Sequence, residues 1–165
     1  MKLVLILLAF LFSSERTFPQ QLTAVDLEKL LHLSLAEADD YLQHKGFQYL
    51  GDDTKSPVFE GGRTIQFGRR DPFRLIAMIS YFKNKSTPNM VGYFCSEIEL
   101  RAKKKYYLDN GYKLFNTYSN NDVLKYFFDK KGSYFYLIFG TSYDANTGIS
   151  SNGIQLLAKT KDYVE

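Results

Sequence analysis

Apolar residues recur at helical spacing in three short stretches of the chain, and at alternating or continuous spacing almost everywhere else. In TAVDLEKLLHL (23–33), Leu27, Leu30 and Leu31 fall on one face, and Thr23 followed by Asp26 has the spacing of a capping box. Ser34 and Glu37 repeat the device ahead of LAEADDYLQHK. There Leu35, Ala38 and Leu42 form the apolar stripe, and Gly46 stands where a left-handed C-terminal stop belongs. Ser96 and Glu99 open a third helix, ELRAKKKYYLDN, which ends at Gly111. Strands are predicted for FQYLG, RTIQFGR, RLIAMISYFK and MVGYFC after the first glycine stop. YKLFNTY, VLKYFFDK, SYFYLIFG and GIQLLAKT follow the second, with NKSTPN and DKKG as hairpin connections.

The same phrase is therefore written twice. A shift of 65 residues lays Tyr41 on Tyr106, Gly46 on Gly111, Phe47 on Tyr112 and Leu50 on Phe115 without a gap. Beyond that, Ile65 matches Leu124 if the second copy has a loop six residues shorter. Each half reads as helix, glycine stop and about four antiparallel strands: the glycine lets the chain reverse at once, and the aromatic after it begins a strand. The pattern predicts an α+β fold, with an antiparallel sheet of about eight strands built from two α-β4-like repeats (22–95 and 96–160) and helices packed on one face. Two unrelated helix-and-hairpin units would leave a similar trace. The layout resembles the tandem helix-plus-four-strand fold of the β-lactamase-inhibitor-like family and of small envelope proteins of the SmpA/OmlA type, over most of residues 22–160 and in pattern only. The inhibitor family braces its repeats with disulfides; this chain, with Cys95 as its only cysteine, departs from that, and no functional residue carries over.

The N-terminus changes the expected compartment. MKLVLILLAFLFSS has one lysine, an apolar run from Leu3 to Phe12 and then two serines, the layout of a secretory signal peptide. Residues 1–20 are assigned to it, with the cleavage position open between Ser13 and Gln20, and 21–165 to a single domain. The run is shorter than the about 20 residues a spanning helix needs, so no stable membrane insertion of the mature chain is expected. A single cysteine in an exported domain favours a bacterial periplasm, or secretion from a bacterium. Cys95, among apolar neighbours in VGYFCS, reads as buried and inert.

Composition is that of a globular domain, 45% hydrophobic and 24% charged, and the net charge of +3 is scattered among acids, which argues against nucleic acid as a partner. The unusual feature is 13 Tyr and 14 Phe with no Trp, a composition that favours strands. Catalytic patterns are sparse. His32 and His44 lie in separate helical stretches without metal-ligand spacing. Asp39 and Asp40 are adjacent and diverge by about 100° on a helix. GGR and FGRR (61–70) precede no helix start, so the phosphate-cradling geometry is missing. DANTG (144–148) lacks the spacing of a calcium loop. No enzyme, cofactor or metal is expected.

What remains is surface. SYFYLIF places Phe135, Leu137 and Phe139 on one side, and Tyr134, Tyr136 and Ile138 on the other. The second set should lie on the open sheet face, joined by Tyr126 or Phe127. LIAMISYF, ending near Tyr81, is also apolar on both sides, whereas a half-open antiparallel sheet normally shows polar residues on its wet side. TSYDANTGISSNG (141–153) reads as a long loop carrying Tyr143. The expected function is an exported, non-enzymatic protein-binding domain of inhibitor, immunity or envelope-assembly type. Its partner would be another envelope or secreted protein, and its site Tyr81, Tyr126, Tyr134, Tyr136 and Tyr143. The alternative is a carrier of a small molecule or lipid, with a cavity between helices and sheet; a hydrolase with a scattered site ranks third.

Overall fold

The computed structural model describes residues 21–53, 63–69, 74–81, 90–120, 122–144 and 149–159. The N-terminal apolar run, the glycines of GGR and the centre of the DANTG stretch lie outside the described residues. The class is α+β with antiparallel pairing throughout.

Three described helices, α1 (Ala24–Leu30), α2 (Leu35–His44) and α3 (Glu97–Asp109), start at the three expected capping boxes. At α1 the Thr23 hydroxyl accepts from the Asp26 N–H at 3.1 Å, and the Asp26 carboxylate accepts from the Thr23 N–H at 2.7 Å. Two orphan donors of the first turn are thereby satisfied reciprocally. Both glycine stops close as Schellman turns. Gly46 has φ 81° and Gly111 φ 87°, left-handed values that a side chain resists. The next amide reaches back in each case, Phe47 to Leu42 at 2.9 Å and Tyr112 to Tyr107 at 3.1 Å.

The strands are β1 (Gln48–Asp53), β2 (Arg63–Arg69), β3 (Arg74–Tyr81), β4 (Met90–Cys95), β5 (Lys113–Ser119), β6 (Val123–Asp129), β7 (Phe135–Asp144) and β8 (Ile149–Ala158). Their order is β1-β2-β3-β4-β8-β7-β6-β5: two four-strand meanders joined where β4 pairs with β8. The halves match in detail. Each first strand carries a bulge at the same place, between Tyr49 and Gly51 in β1 and between Leu114 and Asn116 in β5. At the junction, Val91↔Leu156 and Tyr93↔Ile154 flank Gly92↔Gln155 symmetrically. One register expectation is corrected. Gln66 faces Gly51 and Phe127 faces Asn116, an offset of 61 against the 65 of the preceding segment. Ile65 therefore corresponds to Tyr126, not Leu124, and the second connection is shorter by four residues, not six.

A second correction concerns residues 141–153, which are mostly strand. β7 runs on to Asp144 and β8 begins at Ile149, paired from Thr141↔Asn152 to Asp144↔Ile149. The Ser, Asn and Gly content of this stretch disfavours strand in isolation, but the ladder and a Thr141–Asn152 side-chain hydrogen bond of 2.9 Å override it.

The core lies between the helices and one sheet face. Ile65, Phe67, Val91, Tyr93, Phe128, Leu137, Phe139, Ile154 and Leu156 meet Leu27, Leu30, Ala38, Leu42 and Tyr107 there. α1 and α2 are pinned through Asp26, a buried carboxylate that accepts from the Tyr41 hydroxyl and pairs with Lys45 at 3.3 Å. α3 is pinned through Tyr107, whose hydroxyl donates to the Ala24 carbonyl of α1 at 3.3 Å. Buried Lys103 lies 4.9 Å over the Tyr93 ring and pairs with Glu99, which accepts from the Tyr93 hydroxyl at 3.1 Å. Burial pushes the neighbouring Cys95 thiol up to about 11, so it is protonated and inert at neutral pH.

Candidate functional site

Alternation along the ladder puts a second set of side chains on the sheet face opposite the helices, which no described helix covers. Across β4, β8, β7 and β6 one row reads Phe94, Gly153, Gly140, Lys125, and the next reads Gly92, Gln155, Ile138, Phe127. Tyr136 follows in the same parity on β7, next to Leu157.

Three aromatics gather at the β5 end of this face. The Phe115 ring lies 6.3 Å from Phe127 and 5.8 Å from Tyr136. The bulge brings them together: it sets Phe115 and Asn116 jointly against Phe127, where a regular strand would place one residue. Phe115 is 57% exposed, and an exposed phenylalanine packed edge-on to Phe127 and tilted against Tyr136, both half-buried, is an apolar patch rather than a stray side chain. Lys159 caps one side, its ammonium 4.8 Å from the Tyr136 ring and ion-paired with Asp129.

Beside the aromatics is a slot. Gly140 and Gly153 are direct neighbours on β7 and β8 and leave the sheet bare. Their missing side-chain volume is bordered by the Phe94 ring, 3.5 Å from where a Cβ on Gly153 would sit, and by the Lys125 stem, 3.6 Å from one on Gly140. The depression holds about 90 Å³ and is also lined by Val123, Ile138 and Gln155. That volume suits one partner side chain, not a free ligand. Among the described residues Lys125 has no carboxylate partner, so its charge faces whatever docks there.

The structure divides the five tyrosines expected to form the site. Tyr136 lies on the open face. Tyr126 lies on the helix side, packed against the core with the Lys104 ammonium 4.7 Å over its ring; it shares the parity of Phe128, so Phe127 rather than Tyr126 takes the open face. Tyr134 also leaves the group. β7 begins only at Phe135, after a turn in which the Ser133 hydroxyl bonds the Phe135 backbone, so strand alternation does not extend to position 134. Its ring lies 4.5 Å from His32 beyond α1, and burial, with the Glu28 charge, holds its hydroxyl above the usual tyrosine range. Tyr81 closes β3 and Tyr143 is the penultimate residue of β7, and their side chains lie outside the described residues.

Phe115, Lys125 and the two glycines were missed from sequence. The alternation of β6 signals Lys125 once its parity is known, but the bulge that positions Phe115 leaves no composition signal.

The helix side carries a second polar cluster. Burial raises the Glu28 carboxyl although it faces the Tyr107 hydroxyl, Lys130 and His32. Burial pushes the Tyr112 hydroxyl up to about 12, and that group bonds Ser133 at 2.8 Å. These contacts tie α1 to α3 and to the β6–β7 turn, an arrangement that holds elements together. His44 and Asp40 pair at 3.4 Å on the fully wet side of α2. No three His, Cys, Asp or Glu side chains converge as a metal site among the described residues, and no described helix is long and apolar enough to cross a membrane. Comparison with protein-family models, with curated proteins and with solved structures finds no match to this chain.

Proposed function

We propose that this chain is an exported, non-enzymatic protein-binding domain of inhibitor, immunity or envelope-assembly type. Its docking surface is the sheet face opposite the helices. The observation that carries the reading is the exposed Phe115–Phe127–Tyr136 cluster beside a glycine-floored slot with Lys125 on its wall. Large rigid rings around a pocket of side-chain size are the elements from which interface hot spots are built. Lys125, which pairs with no carboxylate among the described residues, favours a partner presenting an acidic residue next to an apolar anchor. The matched bulges, glycine stops and capping boxes support reading the halves as two copies of one helix-plus-four-strand unit, in keeping with the resemblance to β-lactamase-inhibitor-like and SmpA/OmlA-type proteins. The N-terminal pattern supports delivery to the periplasm or outside a bacterial cell.

Site-specific photo-crosslinking in the exporting cell tests this. A benzophenone side chain replacing Phe115 should give a discrete protein adduct, and Lys125→Glu should diminish it. The same probe replacing Ile98, 81% exposed on α3, should give none. Equal adducts from both positions, or an adduct from position 98 alone, would overturn the assignment of the face.

A further inference from the structure

On the other side of the sheet, a groove of about 570 Å³ runs between α3 and strands β6 to β8. Its apolar lining comes from Leu100 of α3 and from Tyr126 and Phe139 of the sheet; its charged lining comes from Glu97, Arg101 and Lys104, which succeed one another along α3. The volume falls within the about 300–1,000 Å³ of small-molecule sites, and it is well over the single-side-chain size of the slot on the opposite face.

The polar groups of the groove are not equally committed. Glu97 and Arg101 are an i, i+4 ion pair, so they answer one another. Thr141 and Asn152 are hydrogen-bonded to each other at 2.9 Å. Lys104 differs. Its ammonium lies 4.7 Å over the Tyr126 ring and 5.5 Å over the Phe128 ring, and among the described residues it meets no carboxylate. The rings stabilise one side of the cation and remove water from it, but they accept none of its three N–H donors. The helix thus holds an ammonium at the wall of an apolar cleft, and Arg101 one turn earlier adds donors beyond those used by Glu97. An anion complements this cation, and the apolar floor beside it suits an apolar body attached to that anion.

We propose that this groove binds a monomeric amphiphilic carboxylate of fatty-acid type, its head group on Lys104 with Arg101 beside it and its chain over Leu100, Tyr126 and Phe139. The site is separate from the protein-docking face and does not depend on it. A charge-assisted hydrogen bond at the half-buried ammonium gives preference for the ionised head, and burial of the chain against three apolar residues gives the remaining affinity.

The test is displacement of dansyl-labelled undecanoate from the full-length protein; the chain has no tryptophan to interfere with its fluorescence. Oleate should displace the probe, and methyl oleate, which keeps the chain and loses the charge, should compete about tenfold or more less well. Lys104→Glu should weaken oleate by about tenfold or more, while Lys125→Glu on the opposite face leaves it unchanged. Lys104→Met removes the charge, keeps an apolar side chain of similar length beside Tyr126, and serves if the charge reversal unfolds the chain. Equal competition by oleate and its methyl ester, oleate binding indifferent to position 104, or no displacement at all would overturn the proposal. So would binding confined to phosphatidylglycerol vesicles with none to monomeric oleate, which would mark a lipid-surface contact instead.

Discussion

Tyr107→Ala is expected to cost about 3–5 kcal/mol, as truncation of a large core aromatic does, and so to leave little of the about 5–15 kcal/mol that holds a domain of this kind together. Tyr107 is 0% exposed. Its ring lies 5.2 Å from Tyr112 at the entrance to β5, and 6.3 and 6.4 Å from Phe135 and Phe139 of β7, in each case edge to face. Its hydroxyl reaches the Ala24 carbonyl of α1. One side chain therefore joins α3 to α1 and to two strands of the second meander. Truncation opens a cavity that these elements cannot close together, and it leaves the Ala24 carbonyl and Glu28 without the hydroxyl. Tyr107→Phe separates the contributions: the ring contacts remain and the loss should fall to about 1 kcal/mol, the net value of a hydrogen bond. Urea unfolding followed by far-ultraviolet circular dichroism reads both. A Tyr107→Ala protein within 1 kcal/mol of wild type would place the residue outside the core.

Asp26→Ala should be nearly as damaging, at about 2–3 kcal/mol, since removing a charged acceptor from a buried network strands its donors. The carboxylate closes the capping box of α1, accepts from Tyr41 of α2 and pairs with Lys45. Burial by itself would raise its pKa; the hydrogen bonds from Tyr41, Thr23 and Lys45 outweigh burial and hold it below the 3.8 of a free aspartate. The sign of the pH effect follows. A carboxylate whose folded pKa is depressed stabilises the protein fully above its unfolded value, and this stabilisation is lost as pH falls through the folded one. Wild type should therefore keep the Asp26 contribution down to about pH 4 and lose it below that. In Asp26→Asn that part of the acid sensitivity should vanish, from a lower starting stability. Denaturation midpoints for both proteins between neutral pH and pH 2 would show the curves converging at the acid end; parallel curves would contradict the role of the ionised group.

The helices were fully legible because each is announced by chemistry that acts over three or four residues. Thr23, Ser34 and Ser96 bond where their acidic partners predict, and Gly46 and Gly111 take the left-handed conformation that ends a helix. Equivalence of the halves could be read as far as Leu50 and Phe115 for the same reason. It failed past the β1–β2 connection, because loop length carries no residue signal and Ile65 and Leu124 are both simply apolar. The strands within 141–153 were not legible, since the composition of that stretch belongs to loops while cross-strand pairing, which is non-local, decides its structure. Parity told which residues of β7 face the helices, Phe135, Leu137 and Phe139. It failed for Tyr134, where the strand has not yet begun, and it could not choose between Tyr126 and Phe127. The aromatic cluster was legible as a surplus of rings; its assembly by a bulge was not.

Accessibility of the sheet face tests the account most directly. Phe115→Cys and Lys125→Cys can be introduced into the native chain, because Cys95 is buried with its thiol pushed up to about 11 and stays silent at neutral pH. Both new thiols should react with a charged maleimide at nearly the rate of the urea-unfolded protein, while Cys95 reacts only on unfolding. Slow labelling of both engineered thiols in the folded monomer, recovered in urea, would mean that the face is covered, and the docking surface would have to be sought elsewhere.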